Sequence, residues 1–325
     1  MDRAQYIQIR KSQDLTISRF ALLTHYLREV IFVAAIYGVW NGFADSNLKF
    51  IAVPLLAALI FRNFSLMHDA VHRAVSKSQY INDLSGVISG SICLLPFEPW
   101  RKSHLEHHSW SGNIDKDPVM GLVKGYPHFD PKLQKTLNFF WRLWVPTLAV
   151  MQYGLFYLLA TKIFIAKRDS LKVLLSLLSP LLLWGSLIYF LPTAFTLTIL
   201  FPAFLLYMIA VEVVNFPHHL QLPQFEGDVR FPVWEQYKTS RSCIYPLWFA
   251  QHIVLNFNYH IEHHMFPDVP WYHLPKLHQE IKLAIGSDYN TDPSFGWIIE
   301  NRPKNLEDVV CYHKAAAEEP KRTVA

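Results

Sequence analysis

The longest apolar run of the chain, LKVLLSLLSPLLLWGSLIYFLPTAFTLTILFPAFLLYMIAV, occupies residues 171–211 and carries one charge, Lys172. A helix needs roughly 20 apolar residues to cross a bilayer. This run is about twice that length and has Pro192 near its middle. It therefore predicts two membrane spans joined by a tight turn, at about 171–191 and 193–213.

Two further apolar runs, VIFVAAIYGVW and FIAVPLLAALIF, predict spans at about 29–44 and 48–66. The composition agrees, because 17% of the residues are charged where soluble domains carry about 25%. Residues 1–28 are predicted to form a polar cytoplasmic segment without a signal peptide. Residues 29–300 form one membrane domain, and a polar, mobile tail follows at 301–325.

The distribution of Lys and Arg predicts the topology. Cations precede the first span and recur through 67–140, which the positive-inside rule places in the cytoplasm. The apolar run at 137–165 is ambiguous, because a crossing there would put the basic stretch 162–172 outside. We therefore predict that 137–165 is an amphipathic helix in the membrane interface, with Trp141, Trp144 and Tyr153 at headgroup level.

Three short segments are rich in histidine, namely HDAVH (68–72), HLEHH (104–108) and HIEHH (260–264). Their imidazoles recur at i, i+3 or i+4, positions that share one face of a helix. Neutral imidazole binds zinc, copper or iron, and one ion cannot coordinate eight imidazoles. The segments predict a site for two metal ions with these ligands: His68, His72, His104, His107, His108, His260, His263 and His264.

Two more candidate ligands lie in VEVVNFPHHL, at the end of the fourth predicted span. Asn215 and His219 are four residues apart and would align on a continuing helix, together with Glu212 three residues before Asn215. Pro217 interrupts that register, and His218 remains an alternative to His219.

Other polar residues are expected to support this site or to be structural. Three carboxylates beside the clusters should accept hydrogen bonds from ligand N–H groups, namely Asp69, Glu106 and Glu262. Six isolated histidines are predicted not to be ligands, namely His25, His128, His252, His273, His278 and His313. The three cysteines lack a CxxC spacing, which excludes a disulfide framework or thiolate site. A net charge of +4 without a basic stripe excludes nucleic-acid binding.

The three boxes HxxxH, HxxHH and HxxHH, with a pair of predicted spans between the second and third, closely resemble the membrane fatty acid desaturase superfamily. NYHIEHHMFPDVPWYHLPKLH resembles its third box, and the first box is most similar to that of acyl-lipid desaturases. The resemblance implies an all-α membrane protein with four transmembrane helices and a cytoplasmic helical cap that holds a di-iron centre. It also implies that Asn215 and His219 contribute to that centre.

An unactivated methylene group has neither an acidic proton nor a leaving group, so its oxidation requires a cofactor. The resemblance implies insertion of a cis double bond into a lipid acyl chain, with O2 as co-substrate and two electrons from a ferredoxin or cytochrome b5. The membrane would be a bacterial inner membrane or the endoplasmic reticulum. NIDKDP (113–118) resembles carotenoid-modifying relatives as well. The alternatives are therefore a carotenoid, sterol or alkane hydroxylase or ketolase, and a non-catalytic metal-binding or transport protein.

Overall fold

The computed structural model describes residues 1–13, 15–166 and 170–310, which are mostly helical. In chain order the helices are α1 Arg3–Ser12, α2 Ala21–Gly42, α3 Ala52–Val71, α4 Gln79–Ile92, α5 Phe97–Trp110, α6 Gly121–Gly125, α7 Pro131–Arg142, α8 Thr147–Ile165, α9 Ser170–Phe190, α10 Thr193–Phe195, α11 Phe201–His219, α12 Leu247–His252, α13 His260–Met265, α14 Leu274–Ile285, α15 Ser294–Asn301 and α16 Leu306–Val310. A π-helical turn, Thr196–Leu200, joins α10 to α11. Short 3₁₀ helices lie at Asn47–Ile51, Pro118–Met120, Tyr126–His128, Val233–Lys238, Trp271–His273 and Gly286–Asp288. Within the described residues the strands β1 Ser242–Ile244 and β2 Thr291–Pro293 form one parallel pair.

Four helical stretches are long and apolar enough to cross a bilayer, at Ala21–Gly42, Asn47–Val71, Leu171–Phe190 and Thr193–His219. Both their number and their order agree with the prediction from the sequence. The second and fourth are largely packed inside the protein, whereas the first and third expose most of their apolar surface. The chain is therefore a polytopic, mostly helical membrane protein. Its second and fourth spans lead into the cap, which is formed by the helices outside the spans.

The first span begins at Ala21, earlier than the predicted start near residue 29. The sequence prediction placed Arg28 among the cations that precede the span. In the structure the buried Glu29 carboxylate accepts a hydrogen bond from Nε of Arg62 on α3, at 2.6 Å. A paired charge can be buried where an isolated one cannot, so the helix continues through this position.

The fourth span also runs further than predicted, because α11 continues through Pro217 to His219. A proline inside a helix removes one backbone hydrogen bond and leaves the carbonyl four residues earlier without its usual donor. That carbonyl belongs to Val213, and it accepts a hydrogen bond from Ser294 Oγ at 2.7 Å. Pro217 therefore does not break the helical register between Asn215 and His219.

The prediction of a single amphipathic helix over 137–165 is wrong. The region consists of α7 and α8, whose axes differ by 118°. Only α7 is amphipathic; α8 is apolar on all sides. Trp141 and Tyr153 are buried in the protein, whereas Trp144 is exposed, and the Tyr153 hydroxyl is 2.7 Å from that of Tyr207. In the adjacent basic stretch, residues 167–169 lie outside the described part of the chain.

A buried carboxylate, Glu212 of α11, holds the bend between α7 and α8. Its Oε1 accepts hydrogen bonds from the backbone N–H groups of Leu148 (3.1 Å) and Ala149 (3.0 Å), in the first turn of α8. Its Oε2 accepts from Arg302 Nη2 at 2.6 Å, and the guanidinium lies 3.9 Å from the centroid of the Trp141 ring. The anion thus caps a helix and pairs with a buried cation.

This ion pair changes the interpretation of the predicted C-terminal tail. Residues 301–310 are not a mobile segment, because Arg302 is buried and Leu306 and Val309 of α16 pack in an apolar cluster with Trp141. The remainder of the predicted tail, 311–325 including His313, lies outside the described residues.

We predict that Arg302→Ala will destabilise the protein by about 3–5 kcal/mol, because it leaves the Glu212 carboxylate buried without its cation. The measurement is the midpoint of thermal unfolding in detergent. The matched control is Lys304→Ala, since Lys304 pairs with Glu300 at an exposed position and exposed pairs contribute little. Equal midpoints for the two variants would contradict the role assigned to the buried pair.

Candidate metal centre

Four separate helices carry the clustered histidines. The first box lies at the C-terminal end of α3, the second on α5 and the third on α13, while His219 ends α11. A turn that precedes α13 contains Leu255 and Asn256, both with positive φ. Ser65 Oγ of α3 donates to the carbonyl of Val254 (3.0 Å), and Asn256 Nδ2 donates to the carbonyl of Trp271 (3.1 Å). The first of these bonds attaches the turn before the third box to the second span, and the other attaches that turn to Trp271, which follows the third box.

The histidines form two adjacent groups. Within each group, one ring nitrogen of every histidine lies within 4.8 Å of those of the other members. Group A comprises His68, His72, His104, His108 and His263, and group B comprises His107, His219, His260 and His264. In group A, His104 Nε2 lies 2.9 Å from His72 Nε2 and 3.1 Å from His108 Nε2. In group B, His107 Nε2 lies 3.1 Å from His219 Nε2 and 3.3 Å from His264 Nε2.

Hydrogen bonds at Nδ1 determine which nitrogens of group B are free. His107 Nδ1 donates to the Asp117 carboxylate (2.8 Å), and His219 Nδ1 donates to the Thr239 carbonyl (3.2 Å). His264 Nδ1 donates to Oε1 of Gln236 at 3.0 Å. The Gln236 amide has its oxygen on this side because its Nε2 donates to the carbonyl of His108 (2.8 Å).

Three imidazoles of group B therefore direct Nε2, the nitrogen opposite the hydrogen-bonded Nδ1, towards one another, and His260 Nε2 lies 2.7 Å from that of His219. Such an arrangement is repulsive in a buried site unless a cation lies among the nitrogens. Metal–nitrogen bonds of about 2.0–2.1 Å place adjacent ligand nitrogens roughly 3 Å apart, which matches the distances in both groups. In group A, both ring nitrogens of the buried His68 lack a hydrogen-bond partner among the described residues. The residues present thus fit one metal ion in each group.

Burial favours the neutral form of three histidines of group A. It lowers the pKa of His72 to about 3, and it lowers the pKa values of His104 and His263 well below their ordinary value, with neighbouring imidazoles adding to the effect. Since only the neutral imidazole can bind a metal, burial favours metal binding over protonation at these histidines.

The structure brings together nine of the ten predicted ligands and leaves Asn215 apart. The half-buried Asn215 donates its Nδ2 to the Val211 carbonyl of its own helix (2.8 Å), so its ligation stays a prediction. His219 belongs to group B, whereas His218 belongs to neither group and stacks on His260 with ring centroids 4.2 Å apart. The geometry favours His219 over His218.

None of the three predicted carboxylates accepts a hydrogen bond from a ligand, although Asp69 Oδ1 lies 3.6 Å from Nδ1 of His68. Glu106 is exposed, Asp69 accepts from the backbone N–H of Trp271, and Glu262 accepts from Tyr289 and Ser242. Residues next to a ligand in a helical sequence point to a different side, so sequence adjacency was a poor guide. The groups that do orient the ligands are Asp117, Gln236 and the Thr239 carbonyl. Asp117 lies in NIDKDP, soon after the second box, whereas nothing in the sequence marked the other two.

Comparison with known proteins agrees with this geometry. Residues 47–292 match the family model described as "Fatty acid desaturase". The chain is 28% identical over 292 residues to "sn-1 acyl-lipid omega-3 desaturase (ferredoxin)" of Nostoc sp. (strain 36), which covers 85% of this chain and 79% of the relative. It is 26% identical over 317 residues to "Omega-3 fatty acid desaturase, endoplasmic reticulum" of Nicotiana tabacum, with 87% and 78% covered. It is 23% identical over 286 residues to "sn-1 oleoyl-lipid 12-desaturase" of Picosynechococcus sp. (strain ATCC 27264 / PCC 7002 / PR-6), with 85% and 81% covered.

The family match covers well over half of the chain, so the chain belongs to the fatty acid desaturase family. The protein is an oxidoreductase of the membrane, and its similarity is to desaturases of the acyl-lipid type. Of the alternatives that the sequence left open, the fatty acid desaturase is the one that these findings support over a hydroxylase or a metal transporter.

We predict that Asp117→Asn will weaken metal binding about 10- to 100-fold, because an amide is a weaker acceptor for His107 Nδ1–H and no longer makes Nε2 a strong ligand. Bound metal is measured per purified chain after dialysis against a chelator. Asp115→Asn is the control, because Asp115 is exposed and pairs with Lys124. The role of Asp117 is refuted if both variants retain the metal of the wild type.

A second pair of variants tests the choice between the adjacent histidines. His219→Phe should lose metal because it removes one nitrogen of group B, whereas His218→Phe should keep the full content because its ring lies outside both groups and packs on His260 and Phe257. Metal analysis of both purified variants gives the answer. Loss of metal in the His218 variant alone would reverse the assignment.

Proposed function

We propose that this protein inserts a cis double bond into an acyl chain of a membrane lipid, using O2, two electrons and two iron ions. The ligands would be the nine histidines of groups A and B together with Asn215. The observation that carries the proposal is the convergence of nine imidazoles, seven of them nine-tenths or more buried, in two adjacent metal-binding groups.

The donor set supports iron and the reaction class. The clusters contain no thiolate, which disfavours the soft-metal sites that cysteine builds, and zinc has no redox chemistry. Iron is the metal that the family resemblance implies. When bound, the two ions would supply the activation of O2 and the removal of two hydrogen atoms from an unactivated methylene pair, which side-chain acids and bases cannot do.

The chain itself supplies an apolar, aromatic surround for group A. Phe257 lies 4.7 Å from the His68 ring, and Trp100 stacks on the His104 ring at 4.8 Å and 8°. Phe64 packs edge-on against Trp100. These buried rings exclude water beside the first and second boxes.

The names of relatives support the substrate carrier and the electron donor. The relatives from Nostoc sp. (strain 36) and Synechocystis sp. (strain ATCC 27184 / PCC 6803 / Kazusa) are both named as sn-1 acyl-lipid omega-3 desaturases with ferredoxin. We propose an acyl-lipid substrate and a ferredoxin-type donor for this chain, with cytochrome b5 as the alternative donor. The relatives differ in bond position, since another is named as a 12-desaturase.

We further propose that the site faces the cytoplasm, in a bacterial inner membrane or the endoplasmic reticulum. His68 and His219 lie at the C-terminal ends of the second and fourth spans, so both spans end on the side of the cap. The segment between the second span and α7 carries six Lys and Arg residues, which supports a cytoplasmic position under the positive-inside rule.

The test compares lipids from a host that expresses the wild type, His264→Ala or His278→Ala. His264 belongs to group B, so its loss should abolish the product and lower bound iron. His278 should be dispensable, because it contacts Glu262 and Tyr289 and lies outside both groups. The measurement is lipid mass spectrometry together with iron analysis.

A product lighter than a host acyl chain by two hydrogen atoms, absent only in the His264 variant, supports the proposal. A product that gains one oxygen instead would show a hydroxylase. Full activity of the His264 variant would refute the assignment of the metal site.

A further inference from the structure

A second site lies outside the histidine clusters, at the corner between α7 and α8. A cavity of about 590 Å³ opens there on the surface of the protein. It is lined by Pro131, Gln134, Lys135, Asn138, Phe139, Arg142, Leu143 and Asn305. None of these residues belongs to group A or group B, so the metal centre does not explain this cavity.

The cavity is positively charged. Lys135 and Arg142 line it, and no acidic side chain does. The sequence contains no Asp or Glu from residue 131 to residue 168. Neither cation forms an ion pair within the described part of the chain; Arg142 Nη2 instead donates to Asn305 Oδ1 at 2.7 Å. The acids of α16, at 307 and 308, are exposed and lie outside the lining. The cavity thus offers two cationic groups to an anion.

The same corner is apolar on its outer rim. Phe139 and Leu143 are 59% and 58% exposed, and Val145 between the two helices is exposed as well. Beyond them α8 is apolar on all sides and exposes Leu155 and Leu158. Exposed apolar surface continuous with a membrane-length apolar helix pair indicates contact with lipid tails.

We propose that this corner binds an anionic glycerophospholipid, with the phosphate headgroup on Lys135 and Arg142 and an acyl chain along the exposed face of α8. Basic groups beside exposed aromatic and aliphatic side chains match the two ends of such a lipid. An acidic protein would fit the cations but not the apolar rim. The lipid would bridge α7 to Asn305, and so hold the C-terminal residues of the cap on the membrane surface.

The test is native mass spectrometry of the purified full chain, titrated with phosphatidylglycerol or with phosphatidylcholine of the same acyl chains. The wild type should retain phosphatidylglycerol preferentially. The double variant Lys135→Gln/Arg142→Gln should bind it roughly 10- to 30-fold more weakly, because two cations near the headgroup are lost. Its binding of phosphatidylcholine should not change.

Two controls make the result decisive. Lys135→Arg/Arg142→Lys keeps both charges and should keep the preference, which separates charge from local packing. Lys282→Gln removes an exposed cation of α14 and should behave as the wild type. Equal retention of the two lipids by the wild type, or unchanged phosphatidylglycerol binding in the neutral double variant, would overturn the proposal. Iron content is measured in the same samples and should be equal throughout, so this result does not depend on the metal centre.

Discussion

The convergence of imidazole nitrogens in a buried site is the constraint on which the rest of the structure depends. His107 Nε2 lies 3.1 Å from His219 Nε2 and 3.3 Å from His264 Nε2, and the three rings come from α5, α11 and α13. Such a set is unfavourable when empty and favourable around a cation, so metal binding and the docking of these helices are one equilibrium. The ends of two membrane spans are thereby joined to the helices of the cap.

Buried polar groups outside the clusters serve this arrangement. Gln236 connects His264 to the backbone of His108, and it therefore links a residue of group B to the segment that supplies group A. Glu212 lies on the same helix as His219 and fixes the start of α8 together with Arg302. An amide or carboxylate at such a position is costly to bury alone and stabilising once each of its atoms has a partner.

The features that the sequence predicted are those that depend on local periodicity and length. The four spans follow from apolar runs, and the grouping of the boxes follows from the i, i+3, i+4 spacing. The errors have tertiary causes. The first span starts early because Arg62 neutralises Glu29, and α11 passes Pro217 because Ser294 satisfies the Val213 carbonyl.

The same difference between local and tertiary causes explains why the surroundings of the metal ligands were not predicted. The spacing predicted the ligands but not their hydrogen-bond acceptors. Gln236 and Thr239 belong to the 3₁₀ helix Val233–Lys238 and the residue after it, which carry no sequence signal of their own. The bend between α7 and α8 was missed for a related reason, since the carboxylate that caps α8 belongs to α11. Partners that are far apart in the chain leave no periodic signal in it.

The most direct test of the central claim is the metal content of the purified protein, measured by elemental analysis together with X-ray absorption at the iron edge. The account predicts two iron ions per chain with nitrogen-dominated coordination. One ion per chain, or a stoichiometric content of zinc instead of iron, would contradict a two-iron centre built from the two histidine groups.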